Sequence, residues 1–366
     1  MIFNNVYKGK TVLITGHSGF KGSWLSIWLR KIGANVVGYS LPPETTPSNF
    51  ESSGLEKKVK NYFGDMRNYE QLSRVVTENK PDFIFHLASQ PLVRRSYLNP
   101  KDTFETNMMG LINLLEIIRQ NNLQTIFINV TSDKCYENKE WTWPYREIDP
   151  LGGYDPYSAS KACSEIITAS YRNSFFNEKE IDDHKVAIST VRAGNVIGGG
   201  DWSEDRIIPD CVRSITNKKP IIIRSPNSIR PWQHVLEPLS GYLWLGAQMF
   251  NDRKKYSSAW NFGSVSVKNL IVIDLVKYFI KEWGVDSYDI QQENKNFHEA
   301  TYLKLDSHKA INQLKWEPVL NIEKAVEMTA HWYSKFYSGN SDSYNLCLEQ
   351  ITDYERLINL NRLYGT

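Results

Sequence analysis

Short apolar runs alternate with helix-like stretches through the first half of the chain. Thr11-Val-Leu-Ile-Thr15 has the length and composition of a buried strand, and a glycine-containing turn separates it from an amphipathic helix reaching Ile32. Gly33 stands where such a helix should stop, and Ala34-Asn-Val-Val-Gly38 predicts a second strand. Phe83-Ile-Phe-His-Leu87, Thr125-Ile-Phe-Ile-Asn-Val130 and Val186-Ala-Ile-Ser-Thr-Val191 predict three more, with helices near 69–79, 102–121 and 156–176. Strands alternating with helices predict an α/β fold, a Rossmann-type doubly wound parallel sheet with helices on both faces. Beyond about Arg192 the pattern breaks into Gly198-Gly-Gly200, prolines and isolated short strands, which predicts a smaller mixed α/β lobe. The expected division is a Rossmann domain over 1–191 with a return segment at 232–262, and a second lobe built from 192–231 and 263–366.

The first turn reads Thr15-Gly16-His17-Ser18-Gly19-Phe20-Lys21-Gly22. Gly16 suits a tight turn, Gly19 lets the backbone approach a pyrophosphate, and Gly22 allows close helix–strand packing. The helix N-terminus that follows supplies amides and dipole for phosphates. The strand–turn–helix context that this glycine pattern requires is met. The carboxylate that should meet the adenosine ribose at the end of the second strand is missing, because Tyr39-Ser40-Leu41 stands there. Glu44 lies beyond two prolines and is a poor substitute. No Arg or Lys stands nearby for the extra phosphate of NADP, so NAD is the preferred cofactor. Asp65 in Gly64-Asp65-Met66 is a candidate partner for the adenine amino group, or else a surface turn residue.

Tyr157-Ser-Ala-Ser-Lys161 places a phenol and an ammonium on one helix face. A nearby positive charge favours the phenolate, and the same lysine can hold ribose hydroxyls. Tyr97-Leu-Asn-Pro-Lys101 has the same spacing, but Pro100 breaks the helix that would align its pair.

Bulk properties then narrow the classes. The 366 residues carry 43 Lys plus Arg against 41 Asp plus Glu, and this near balance gives no reason to expect nucleic acid or a membrane surface. No stretch of about 18 apolar residues is present, so no transmembrane helix is expected. The first strand begins by Thr11, which leaves no room for a signal peptide. Cys135, Cys163, Cys211 and Cys347 form no CxxC pair, which argues against zinc and against a disulfide scaffold and fits a reducing cytoplasm. With no HxH or HExxH arrangement, no metal is expected. His86, on an apolar strand, reads as a hydrogen-bonded structural histidine, and Trp24 and Trp28 at helical spacing read as core.

Together the glycine turn, His86-Leu87-Ala88-Ser89, Glu105-Thr106-Asn107, Tyr157 and Lys161 resemble the extended short-chain dehydrogenase/reductase family over nearly the whole chain. Within it the chain looks like the nucleotide-sugar 4,6-dehydratases, whose Thr-Asp-Glu triplet corresponds here to Ser132-Asp133-Lys134. Lys in place of Glu, together with His17 and Lys21 in the glycine turn, is similar to the branch acting on CDP-glucose. The resemblance implies that Gly16, His17, Gly19, Phe20, Lys21, Gly22, Asp65, Met66, Leu87, Ala88, Asn107, Tyr157 and Lys161 hold NAD. It implies that Tyr157 takes the proton of the sugar C4 hydroxyl while Ser132 polarises it, and that Asp133 is the acid for elimination. Lys134 is then either the base for the C5 proton, which requires it to lose its own proton first, or a fixed charge stabilising the enolate. Gln90, Asn195, Arg206, Arg230 and His234 are the implied substrate contacts. Arg192-Ala-Gly-Asn195, Asp205-Arg206-Ile-Ile-Pro209 and Arg230-Pro-Trp-Gln-His234 resemble the diphosphate-holding segments, where a planar guanidinium suits phosphate. A homodimer or dimer of dimers, formed through helices near 102–121 and 156–176, and a role in making a deoxysugar for a surface polysaccharide are implied in the same way. Two alternatives stay open. One is an epimerase or a dehydratase for another nucleotide sugar, and the other is a non-catalytic cofactor sensor. The Asp133-Lys134 pair favours elimination over epimerisation, and an intact Tyr157 and Lys161 argue against a sensor.

Overall fold

The apolar runs form strands β1 (Thr11–Thr15), β2 (Asn35–Ser40), β3 (Lys60–Phe63), β4 (Phe83–His86), β5 (Ile126–Val130) and β6 (Ala187–Ala193) in a computed structural model. It describes residues 2–223, 225–228, 230–264, 270–285, 289–292, 302–339 and 342–364. Together with Ala259–Phe262, these strands make a seven-stranded sheet in the order 259–262, β6, β5, β4, β1, β2, β3. Every neighbouring pair is parallel. β1, β4 and β5 are buried almost throughout, which is why they read as continuous apolar runs. β3 was not predicted: it is a half-exposed edge strand, Lys-Asn-Tyr-Phe, and an edge position needs no apolar run. Strand order reverses between β1 and β4, so a crevice opens at their carboxyl ends.

Helices cover both faces of the sheet and build two apolar cores. One contains Trp24, Trp28, Val12, Phe85 and Leu239; the other contains Leu13, Leu72, Leu114 and Ile118. The Leu236–Asn251 helix lies on the sheet, where the Tyr7 hydroxyl donates to Leu243 O at 2.7 Å. The Ser343–Tyr364 helix packs on the Phe20–Lys31 helix, and Trp28 Nε1 donates to Glu355 Oε1 at 2.8 Å. The helix expected over 102–121 is a continuous run with a widened π turn, Glu105–Met109, between Pro100–Phe104 and Gly110–Gln120. Such a turn re-aims side chains, here that of Asn107. Tyr97 sits on the separate Val93–Leu98 helix and Lys101 is 87% exposed, so the second Tyr-x-x-x-Lys match is not a pair. Beyond β6 follow the helices Ile207–Thr216, Val272–Trp283 and Ile322–Tyr337 and the short parallel strand pair Ile221–Ile223 and Ile290–Gln292.

Candidate active site

The glycine turn forms one wall of a cavity of about 650 Å³ above the switch point. Gly16 has φ +75°, and a Cβ there would lie 2.7 Å from Ala88 N; a Cβ on Gly22 would lie 2.1 Å from Gly16 O. Both positions therefore require glycine for packing. At Gly19 the nearest atom to such a Cβ is 3.4 Å away, so its bare backbone faces the cavity at a helix start that no side chain caps. Those free amides and the helix dipole suit a pyrophosphate. The same cavity is lined by Phe20, Lys21, Asp65, Met66, Leu87, Ala88, Tyr157 and Lys161. The donor set and shape fit a dinucleotide.

Tyr157 and Lys161 come from the Pro156–Ser174 helix, which Asp155 caps by accepting from Ser158 N at 3.0 Å. Lys161 Nζ donates to Val130 O at 3.3 Å, which ties it to the end of β5. Ser132, Asp133 and Lys134 follow that end directly. Ser132 Oγ donates to Asp133 Oδ1 at 2.9 Å and accepts from Lys134 N at 3.2 Å, so the triplet is a closed turn. Burial raises the Asp133 carboxyl above its ordinary range, against the charges of Lys134, Arg230 and Lys21 and the Ser132 hydrogen bond. A shift in that direction suits a carboxyl to act as an acid.

The phenol departs from the sequence expectation. Burial pushes Tyr157 up to about 12, opposed by a Ser132 hydrogen bond and the Arg206 charge, while Asp133 and Asp155 add to the rise. Lys161 is itself pushed down to about 8 by burial and by Lys21, with Glu165 and Cys135 opposing. In the protein as it stands, burial of the phenol prevails over the hydrogen bond and the charge that favour the phenolate.

A second cavity of about 290 Å³ adjoins the first and shares Lys21, Tyr157 and Arg206 with it. Ser132, Asp133, Lys134, Asn195 and Arg230 line it. Arg206 reaches Asp201 at 3.1 Å, and burial and the Arg206 charge press Lys21 down to about 8. Lys21, Arg94 and Arg206 line both cavities, and Arg230 joins Lys134 in the smaller one.

Five expected contacts are corrected. His17 is fully buried behind the turn, with Nδ1 on Ser40 Oγ at 2.9 Å and Nε2 on Asn61 Oδ1 at 2.6 Å; burial lowers it to about 4, so it is a neutral structural residue. Asn107 is spent holding the cavity wall, since it accepts from Gln90 N at 2.7 Å and donates to Ser160 Oγ at 2.8 Å. Gln90 borders the larger cavity rather than the smaller, and its amide is committed to Leu92 and Thr103. His234 is fully buried against Trp24 and lowered by burial to about 3. Arg192, read from its segment as a diphosphate ligand, is buried in an ion pair with Glu165 at 2.8 Å. His86 is the structural histidine expected, 2.7 Å from Thr15 Oγ1.

Two features were missed by the sequence. Glu44 turns back past its prolines to line the larger cavity, where it pairs with Arg95 at 2.8 Å and 3.0 Å. Asp65 lines the same cavity but is clamped by Arg67, whose hydrogen bonds hold its carboxyl below the ordinary range. Periodicity signals neither pairing, since Glu44 and Arg95 lie on distant segments and Asp65 and Arg67 stand two residues apart in a loop.

A glycine-turn dinucleotide cradle beside a buried Tyr–Lys helix pair defines a Rossmann-type, short-chain-dehydrogenase-like protein. The chain belongs to the family described as GDP-mannose 4,6 dehydratase, whose model matches residues 13–329. It is 46% identical over 355 residues to a CDP-glucose 4,6-dehydratase of Salmonella typhimurium, covering 97% of this chain and 98% of that protein. A CDP-paratose 2-epimerase of Salmonella typhi is 25% identical over 88% of this chain and 99% of its own. Among solved structures, the Mth375 epimerase of Methanothermobacter thermautotrophicus superposes with a TM-score of 0.77 at 25% identity, covering 92% of this chain and 95% of that one. A dTDP-glucose 4,6-dehydratase of Streptomyces venezuelae, solved with NAD, gives 0.76 at 21% identity, covering 90% and 98%.

Proposed function

We propose that the chain is an NAD-dependent hydro-lyase that converts CDP-D-glucose to CDP-4-dehydro-6-deoxy-D-glucose and water. The observation that carries this reading is the Ser132-Asp133-Lys134 turn, lining the smaller cavity beside Tyr157 in a chain of this family. An epimerase needs the tyrosine and lysine but no acid and base for elimination. The 46% identity to a CDP-glucose dehydratase favours cytidine over other nucleotides.

Gly16, Gly19, Phe20, Lys21, Gly22, Asp65, Met66, Leu87, Ala88 and Lys161 would hold NAD. When bound, it supplies the acceptor for the C4 hydride and returns that hydride at C6, so no net oxidation remains. Tyr157 takes the proton of the C4 hydroxyl, which Ser132 orients. The phenol needs positive charge to reach the phenolate at neutral pH, and Arg206 supplies part of it from the protein side. Once C4 is a ketone, the C5 proton is acidic. Asp133, whose carboxyl burial raises above its ordinary range, protonates the leaving C6 hydroxyl. Lys134 takes the C5 proton or holds the enolate by its charge. Arg206 and Arg230, with Asn195, face the diphosphate side.

No helix among the described residues is long and apolar enough to cross a membrane. The assembly is a homodimer, or a pair of dimers, packed through the Gly110–Gln120 and Pro156–Ser174 helices. The exposure of Met109 (47%), just ahead of the first of these helices, and of Ile166 (56%), on the second, supports this.

Incubation with CDP-glucose and NAD, with the UDP, GDP and dTDP sugars in parallel, tests the reaction by mass spectrometry. Loss of one water, fastest from CDP-glucose, is the expected result. Loss from another nucleotide would keep the chemistry and change the substrate, and no mass change on any of the four would end the dehydratase reading.

A further inference from the structure

Glu165 lies one helical turn beyond Lys161 and two beyond Tyr157 on the Pro156–Ser174 helix, hence on the same face. It does not line either cavity. Its carboxylate is 3% exposed and fully engaged. Oε1 accepts from Thr131 Oγ1 and from Arg192 Nε at 2.9 Å; Oε2 accepts from Thr190 Oγ1 at 2.6 Å and Arg192 Nη2 at 2.8 Å. Arg192 Nη1 donates in turn to the Tyr136 hydroxyl at 2.6 Å, and that hydroxyl donates to Asn261 Oδ1 at 2.8 Å.

Thr131 immediately precedes the Ser132-Asp133-Lys134 turn, and Tyr136 stands two residues after it. Both ends of the turn are thus tied to a single ion pair, anchored on the helix that carries Tyr157 and Lys161. We propose that Glu165, acting through Thr131 and Arg192, is a positioning residue that sets the acid–base turn in register with the tyrosine–lysine pair. This rests on the dehydratase reading of the site. A buried ion pair of this kind is a costly way to gain stability, because well-packed apolar residues do as well or better. What it does provide is direction: fixed hydrogen bonds hold two separate elements in one geometry.

Glu165 also reaches Lys161 electrostatically. Lys161 faces Lys21 from the first helix, Cys135 from the triplet turn and His86 from the end of β4; Tyr157 lies on its own helix. Burial and Lys21 drive its proton off, while Glu165 and Cys135 help retain it. Removing the Glu165 charge therefore lowers the pH at which Lys161 gives up its proton.

The test uses the NAD-loaded full chain and CDP-glucose, with Glu165→Gln, Thr131→Val and Thr131→Ser. Glu165→Gln and Thr131→Val are expected to lose about ten-fold or more in kcat with KM kept within about two-fold, as for an interaction that matters only in the reacting complex. Thr131→Ser, which restores the hydroxyl, should recover most of the loss. In Glu165→Gln the alkaline limb of the kcat–pH profile should move to lower pH. Thermal unfolding and NAD titration by tryptophan fluorescence, run in parallel, identify folded variants; if Glu165→Gln fails to fold, the two Thr131 variants decide the matter. Unchanged kcat in Thr131→Val, or a Thr131→Ser no better than Thr131→Val, would overturn the assignment, as would an unmoved alkaline limb in a folded Glu165→Gln. A wild-type protein that releases no water from any nucleotide sugar would instead remove the dehydratase reading on which the assignment rests.

Discussion

At the scale of single residues, burial decides more than proximity. Tyr157 and Lys161 are brought together as the spacing requires, yet both are shifted toward their uncharged forms, the phenol up and the ammonium down. The pair is therefore set for activation by added positive charge, which a bound nicotinamide ring would bring. Asp133 illustrates the same rule usefully, since a carboxyl raised by burial is suited to give a proton. Lys134 remains the residue with two possible roles in the chemistry. In Lys134→Met, washing of deuterium into C5 of the 4-keto sugar in heavy water is expected to fall by about a hundred-fold or more if the amine is the base. Exchange at the wild-type rate would remove it from both roles, since methionine carries neither the amine nor the charge that would hold the enolate. The corrected residues follow from burial too. His17 and His234 are polar residues near motifs, but both rings lie fully buried, away from either cavity.

At the scale of elements, the helices around the site do two jobs. The Pro156–Ser174 helix presents Tyr157, Lys161 and Glu165 inward on one face and Ile166 outward. A 56%-exposed isoleucine on a long amphipathic helix is an unsatisfied apolar position, and a second copy of the same helix can cover it. Ile166→Glu is expected to shift the protein from dimer to monomer in multi-angle light scattering, through like-charge apposition across the two-fold axis. A protein monomeric before the substitution, or still dimeric after it, would remove this face from the interface. Much of this level could be read from the sequence: β1, β4, β5 and β6 and the helix after the glycine turn fall within a few residues of their predicted positions. The exceptions are informative. β3 is half exposed at an edge, and the π turn at Glu105–Met109 leaves no trace in apolar spacing.

At the scale of the whole molecule, distant segments are stitched together by buried polar groups. Glu237, on the helix that lies over the sheet, accepts from Val319 N at 3.0 Å, Leu320 N at 2.6 Å and the Tyr354 hydroxyl at 2.7 Å. It thereby ties its own helix to the loop ahead of the Ile322–Tyr337 helix and to the Ser343–Tyr364 helix. Burial pushes it up from an ordinary 4.5 to about 7, against those hydrogen bonds. The folded protein thus binds this proton more tightly than the unfolded chain. Its contribution to stability is complete below about pH 4.5 and is lost as pH rises through about 7, a change on the order of 3 kcal/mol. Glu237→Gln keeps an acceptor for the two amides and has no charge to bury. Relative to wild type, its urea midpoint should rise as pH goes from 4.5 to 8; parallel curves for the two proteins would show that the carboxyl does not titrate in that window.

What the sequence determined by itself is local: which runs are buried strands, where the glycine turn must sit, and that Tyr157 and Lys161 share a helix face. Each of these depends on residues within a few positions of one another, where spacing fixes geometry. Motif resemblance carried the Ser132-Asp133-Lys134 turn, because that segment follows its strand directly. Only the tertiary structure decided which polar residues face the cavities and which face the core. Arg192 and Arg206 look alike in sequence, but one meets Glu165 inside the protein and the other lines both cavities. Glu44 was set aside because two prolines separate it from the second strand, yet its loop returns it to the cavity against Arg95. Ion pairs between distant elements, and the burial that shifts Tyr157, Lys161 and Asp133, depend on how the chain closes on itself, and no window of sequence contains that information.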